Sequence, residues 1–208
     1  MKIILVRHGE TWGNREGIFR GRKDFPLNQN GLRQAQEVAA DLRHWKIDAI
    51  YSSPLRRALD TAAPLSQALG LTIVQEPGFT DIGLGDWEGK SKQEVAREQP
   101  EWWRLWISRP ERLARPGAES LSQVQDRAFR TLERIVHEAP GQTIAVVSHR
   151  AVLKALIARC LNIPEPYFWK IHLDTGSYSL LEHRSEVGYI LTLLNQTRHL
   201  SDLVEEKV

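Results

Sequence analysis

A single cysteine, Cys160, excludes an intrachain disulfide and any multi-cysteine metal centre. Its neighbours Leu156, Ile157 and Leu161 mark it as a packed core thiol rather than a reactive one. Net charge is scarce: 28 Lys and Arg against 26 Asp and Glu leave a formal +2 over 208 residues. The basic residues are dispersed apart from local pairs such as Arg56-Arg57, so no general affinity for nucleic acid or membrane surfaces follows. No run of 18 apolar residues occurs, and the apolar run after Lys2 is too short for the core of a signal peptide. Internal repeats and low-complexity segments are missing too. The expectation is a soluble, cytoplasmic chain with residues 1–208 forming one domain around a substantial core.

What is present begins at Ile3-Ile-Leu-Val6, an apolar, β-branched run without polar alternation, read as a strand buried on both faces. It ends in Arg7 and His8, and Gly9 permits a sharp turn. Thr143-Ile-Ala-Val-Val-Ser148 repeats the pattern and ends in His149. Ligands of open α/β sheets sit beyond the carboxyl ends of the strands. Two core strands emptying into one crevice would therefore bring His8 and His149 together.

Between these strands, residues 8–30 are rich in Gly, Asn, Arg and Pro and read as a long ordered loop, a feature usually tied to function. Helical periodicity starts after Gly31 with Leu32, Ala35, Val38, Ala39 and Leu42. A strand over Ile47–Tyr51, a helix over Leu55–Leu69 opened by Pro54, and a strand over Leu71–Val74 follow. Asp81 to Gly89 is a glycine-punctuated acidic loop, and helical stretches from Lys92 to Ile107 break at Pro100. The i, i+1, i+4 spacing of Trp102, Trp103 and Trp106 fits helix packing better than a stacking platform for substrate. Pro110 to Gly117 reads as a loop. Ser120 with Gln123 forms a capping box for an amphipathic helix to Ala139. Val152–Leu161 is a buried helix, and Tyr178–Glu182 and Tyr189–Leu194 are closing strands. The alternation predicts an α/β fold, a three-layer α/β/α arrangement with a mainly parallel sheet. The closing strands offer an edge for pairing into a homodimer.

Taken together, Leu5 to Thr11, Asn14, Gly21 to Leu27, Ser53 to Ala62, Gly85 to Gly89, Gly117 to Ser120 and Val147 to His149 resemble the histidine phosphatase (phosphoglycerate mutase-like) superfamily over residues 2 to about 195. The resemblance implies an active site at the carboxyl edge of the sheet, a phosphohistidine intermediate on His8, and neither metal nor other cofactor. It also implies a small phosphorylated substrate, with Asn14, Arg20, Gly21 and Glu10 among the groups around it. The proton-transferring carboxyl of the family, usually glutamate, corresponds here to Asp81. Aspartate is one methylene shorter, so either the loop compensates or Glu10 or Glu88 takes part; the alternative for Asp81 is a loop-capping carboxylate.

The chemistry suits these residue types. A phosphate monoester is dianionic, so a neutral imidazole is a better nucleophile than an anion, and a reference pKa of ~6.5 keeps much of His8 neutral near pH 7. Its other nitrogen is expected to donate to a backbone carbonyl such as that of Gly9. Arg7 and Arg57 offer several donors to the equatorial oxygens, and a protonated His149 would add another. Arg20 stands where related phosphatases often have glutamine, and reads either as a surface residue or as a contact to a second anion on the substrate. Arg150 stands where glycine is common and is expected in a solvent-exposed ion pair.

Mutases of the superfamily carry a longer basic insertion after the Trp-Glu-Gly loop. The short interval ending in Gly117-Ala-Glu-Ser120 resembles the phosphatases, and Leu194 to Leu200 resembles the tails of broad-specificity and metal-independent phosphoserine phosphatases. Phosphoserine and small phosphorylated acids and sugars are the candidate esters, although Leu84 is apolar where some phosphoserine enzymes carry histidine. Phosphoglycerate mutase and a catalytically weak phospho-ligand-binding protein are the alternatives.

Overall fold

Ile3, Ile4, Leu5 and Val6 are buried on both faces of β1 (Lys2–Arg7), as a doubly covered strand requires. The computed structural model describes residues 1–203. β1 is followed by α1 (Trp12–Arg15), α2 (Gln29–Leu42), β2 (Ala49–Ser52), α3 (Arg56–Leu69) and β3 (Ile73–Gln75). Then come α4 (Lys92–Glu98), α5 (Pro100–Ser108), α6 (Leu121–Glu138), β4 (Thr143–Ser148), α7 (Arg150–Cys160), β5 (Tyr178–Arg184) and β6 (Gly188–Gln196). The six strands lie in the order β3-β2-β4-β1-β5-β6. β3, β2, β4 and β1 are mutually parallel, and β5 and β6 are added antiparallel. The sheet is thus mainly parallel, with β3 and β6 as its edges.

Alternate side chains of the central strands serve two cores. Ile4, Val6, Ala145 and Val147 pack with Val38, Leu42, Ala58, Ala62 and Leu65 of α2 and α3. Ile3, Leu5, Ile144 and Val146 pack with Val124, Leu132, Val152 and Leu156 of α6 and α7. Helices therefore cover both faces, each apolar stripe burying its own side of the sheet. Cys160 is buried in the second core, where burial raises its thiol pKa to about 12, so it packs as an inert thiol. No helix among the described residues is long and apolar enough to cross a membrane.

Several boundaries differ from the sequence expectation for identifiable reasons. α2 starts at Gln29, before Gly31, because the Asn28 side chain accepts from the Gly31 amide at 2.8 Å and caps the helix. Gly31 is needed for contact rather than for a break: a Cβ there would lie 2.1 Å from the Glu10 carbonyl oxygen. The long loop contains α1, nucleated by Asn14, whose Oδ1 accepts from the Thr11 amide at 2.9 Å and the Thr11 hydroxyl at 2.7 Å. β3 begins later than expected because Gly70, at φ 66°, turns the chain and the Leu71 amide still bonds the Ser66 carbonyl. α7 starts at Arg150, with the Leu153 amide bonded to the His149 carbonyl at 2.9 Å. The expected loop from Pro110 opens with a 3₁₀ turn, Pro110–Arg112. The capping box of Ser120 and Gln123 forms as expected.

Candidate active site

The parallel register of β1 and β4 pairs Arg7 with Ser148, and the His8 amide bonds the Ser148 carbonyl at 2.9 Å. The two strands therefore release His8 and His149 side by side, with ring centroids 5.2 Å apart and both rings buried. His8 Nδ1 lies 2.7 Å from the Gly9 carbonyl oxygen. A carbonyl only accepts, so Nδ1 carries the proton and Nε2 keeps its lone pair. Gly9 is indispensable to this turn, because a Cβ on it would sit 2.5 Å from the Gly31 carbonyl oxygen. Its amide donates to Thr61 Oγ1 at 2.9 Å.

Burial holds both histidines well below the ordinary value of 6.5, and the Arg57 guanidinium is the largest charge acting in the same direction on each. Both rings are neutral at pH 7. His149 Nε2 pairs with Ser53 Oγ at 2.7 Å, and its Nδ1 lies 3.6 Å from Asp81 Oδ2 with no hydrogen-bond partner.

Arg57 enters from the first turn of α3 and is fully buried. Its Nη2 donates to the Gly21 carbonyl at 2.6 Å and to Asp81 Oδ2 at 2.9 Å, and its Nη1 donates to the Lys23 carbonyl at 3.1 Å. Asp81 Oδ1 accepts from the Ile82 amide at 2.9 Å, which fixes the carboxyl plane. Arg7 is also buried and donates to the Leu173 carbonyl at 2.6 Å. Neither guanidinium has freedom to swing.

A cavity opens above this group. His8, Asn14, Arg20, Gly21 and Asp81 line it, whereas Arg7, Arg57 and His149 do not border it directly. Arg20 thus faces the site, where its charge helps to depress both histidines. Arg150 also lines the cavity and lies 5.9 Å from the Trp169 ring centre, which corrects the expectation of a solvent-exposed ion pair. A position just after β4, at the N-terminus of α7, aims it at the crevice.

Glu10 is a second correction. It does not border the cavity, because its carboxylate accepts from Arg15 Nε at 2.9 Å, Asn28 Nδ2 at 2.9 Å and Asn30 Nδ2 at 2.6 Å. It ties the long loop to α2 instead. Glu88 is likewise occupied by the amides of Arg22, Lys23 and Leu84. Asp81 is left as the carboxylate in the cavity lining. Trp106 is a core residue against Phe19, Trp87 and Phe168, as the packing reading expected, but its edge also lines the cavity.

Sequence reasoning assigned no part to Ser53, Thr61, Lys92 or Phe168. Thr61 was open to recognition, since it lies one helical turn after Arg57 and its hydroxyl donates to the Arg57 carbonyl at 2.7 Å. Lys92 and Phe168 carried no local signal; the fold brings them to the cavity wall.

Comparison with known proteins agrees with this architecture. The Histidine phosphatase superfamily (branch 1) matches residues 3–196. Phosphoserine phosphatase 1 of Hydrogenobacter thermophilus is 34% identical over 206 residues, covering 99% of this chain and 97% of that protein. The structure of Bacillus stearothermophilus YhfR superposes with a TM-score of 0.92 at 29% identity, covering 96% of this chain and 99% of the other. Entamoeba histolytica phosphoserine phosphatase in complex with 3-phosphoglyceric acid gives a TM-score of 0.85 at 31% identity, covering 96% and 98%. With the paired histidines, the buried arginines and the match over nearly its whole length, the chain belongs to the histidine phosphatase superfamily.

Proposed function

We propose that the protein is a metal-independent phosphomonoester hydrolase of small phosphorylated metabolites, working through a phosphohistidine on His8. One observation carries the reading: a buried, neutral His8 with its proton held on Nδ1 by the Gly9 carbonyl, beside His149 and two immobile guanidinium groups. Nε2 attacks phosphorus, the N–P bond forming as the ester P–O bond breaks. The departing alkoxide takes a proton from Asp81, whose ionised form a phosphate dianion beside it disfavours. Water then attacks phosphorus, passing a proton to the Asp81 carboxylate, and the N–P electron pair returns to His8. Arg7 and Arg57 hold the equatorial oxygens, supplying charge that metal ions supply in other phosphoryl-transfer enzymes. With Ser53 donating to Nε2 of His149, the Nδ1 proton of that ring is offered on the Asp81 side.

Hydrolysis fits better than mutase chemistry because the interval from Gly89 to Leu121 holds only α4, α5 and a 3₁₀ turn, with no longer insertion to shield the intermediate from water. Incubation with p-nitrophenyl phosphate and a chelator tests the reading. The expected result is turnover with the chelator present and a loss on the order of a thousandfold in His8→Ala. Turnover equal to that of His8→Ala would remove the enzyme reading. Loss of activity with the chelator would remove the metal-free mechanism. Interconversion of 2- and 3-phosphoglycerate, primed by bisphosphoglycerate, at rates above hydrolysis would make it a mutase.

A further inference from the structure

The cavity has more positive charge than a phosphate dianion needs. Arg7 and Arg57 already stand beneath it, yet Arg20, Lys92 and Arg150 also line its walls. The carboxylate in the lining, Asp81, is engaged by Arg57 and the Ile82 amide. These three cations are held from different directions. The Arg20 stem fills the space left by Gly13, where a Cβ would lie 3.0 Å from its Cγ. Lys92 is tied to the same loop through its amide, bonded to the Gly17 carbonyl at 3.0 Å. Arg150 lies over Trp169, whose indole N–H donates to the Trp106 carbonyl at 3.0 Å. Of these, Lys92 and Arg150 belong to α4 and α7, apart from the strand ends that present the nucleophile.

We infer that Lys92 and Arg150 form a subsite for a second anion, so that the substrate is a phosphomonoester whose alcohol carries a carboxylate and no ammonium group. An ammonium would meet three cations and no available carboxylate, which costs affinity through like-charge repulsion. A carboxylate would gain charge-assisted hydrogen bonds from a planar guanidinium already oriented by an aromatic face. Trp106 and Phe168 supply an apolar wall for the short carbon chain between the two anions. The subsite selects the leaving group and adds nothing to the chemical step. It rests on the phosphatase reading above.

The test is kcat/KM for 3-phosphoglycerate, glycerol 3-phosphate and O-phosphoserine, with p-nitrophenyl phosphate as the reference ester. In the wild-type protein 3-phosphoglycerate is expected to exceed both others by about tenfold or more, the value of one charge-assisted contact. In Arg150→Ala and in Lys92→Ala the ratio of 3-phosphoglycerate to glycerol 3-phosphate contracts, chiefly through KM, and Arg150→Lys restores part of it. A wild-type ratio near one, or a ratio unmoved in both alanine variants, overturns the subsite. Preference for phosphoserine overturns the exclusion of ammonium. Failure to hydrolyse any of the four esters overturns the underlying phosphatase reading instead.

Discussion

Arg57→Met removes the guanidinium while keeping much of the volume, and its consequences can be worked out in three separate measurements. The first is rate. Arg57 is a buried donor fixed by the Gly21 and Lys23 carbonyls, and loss of one preorganised donor to developing charge costs about 10²–10³ in kcat, or ~2.7–4 kcal/mol. The second is pH dependence. Arg57 is the largest charge holding His8 below its ordinary value, so its removal raises the His8 pKa. Less of the nucleophile is then neutral in mildly acidic solution, and the acid limb of kcat/KM moves to higher pH. The substrate's own second ionisation contributes equally to both proteins, so the comparison isolates the enzyme. The third is stability. The substitution leaves Asp81, mostly buried, without its 2.9 Å partner, at a cost of about 3–5 kcal/mol, toward the lower end because the carboxylate keeps some solvent contact. A fall in kcat/KM of less than tenfold, or an acid limb that stays put or moves to lower pH, would refute the reasoning.

Three further outcomes follow from the same geometry. Asp81→Asn should lower kcat for alkyl phosphates by about 10²–10⁴, whereas p-nitrophenyl phosphate, whose phenolate leaves without a proton, should show a burst followed by slow turnover; equal losses on both ester types with no burst would remove Asp81 from proton transfer. Glu10→Gln should cost roughly 2–3 kcal/mol, on the order of 5–10 °C in Tm, while changing kcat/KM less than threefold at a temperature where the protein stays folded; a large rate loss at unchanged Tm would put Glu10 in the chemistry. His8 and His149 are neutral when folded but take up protons when unfolded below pH ~6.5, so stability should decline as pH falls through that value. His149→Gln should flatten the decline in Tm between pH 6.5 and 5, and an unchanged slope would show that its proton uptake is not coupled to folding.

The local pattern of residues was enough to place most elements. Uninterrupted Ile3 to Val6 and Ile144 to Val147 can only be satisfied by a strand covered on both faces, and both are central. The stripe of Leu121, Val124, Ala128, Leu132 and Ile135 forms the buried face of α6 as its period requires. Element ends were less legible, because capping depends on side chains reaching specific amides, as Asn28 does, and on close approaches such as Gly31 against Glu10.

The candidate site divides along the same line. The sequence by itself determined which groups could do phosphate chemistry: the histidines at two strand ends, Arg7 beside one of them, Arg57, and a carboxyl at Asp81. It also determined the Nδ1 contact of His8, since the Gly9 carbonyl is one residue away and the turn leaves it little choice of partner. Only the tertiary structure decided that Glu10 serves the loop and that Arg20 and Arg150 face the cavity, with Lys92 and Phe168 joining them. The physical reason is that residue type and spacing encode local conformation and chemical capacity. Which solvent-compatible charge is turned inward depends on contacts between α1, α4, α7 and the sheet, and those form only when the whole chain packs.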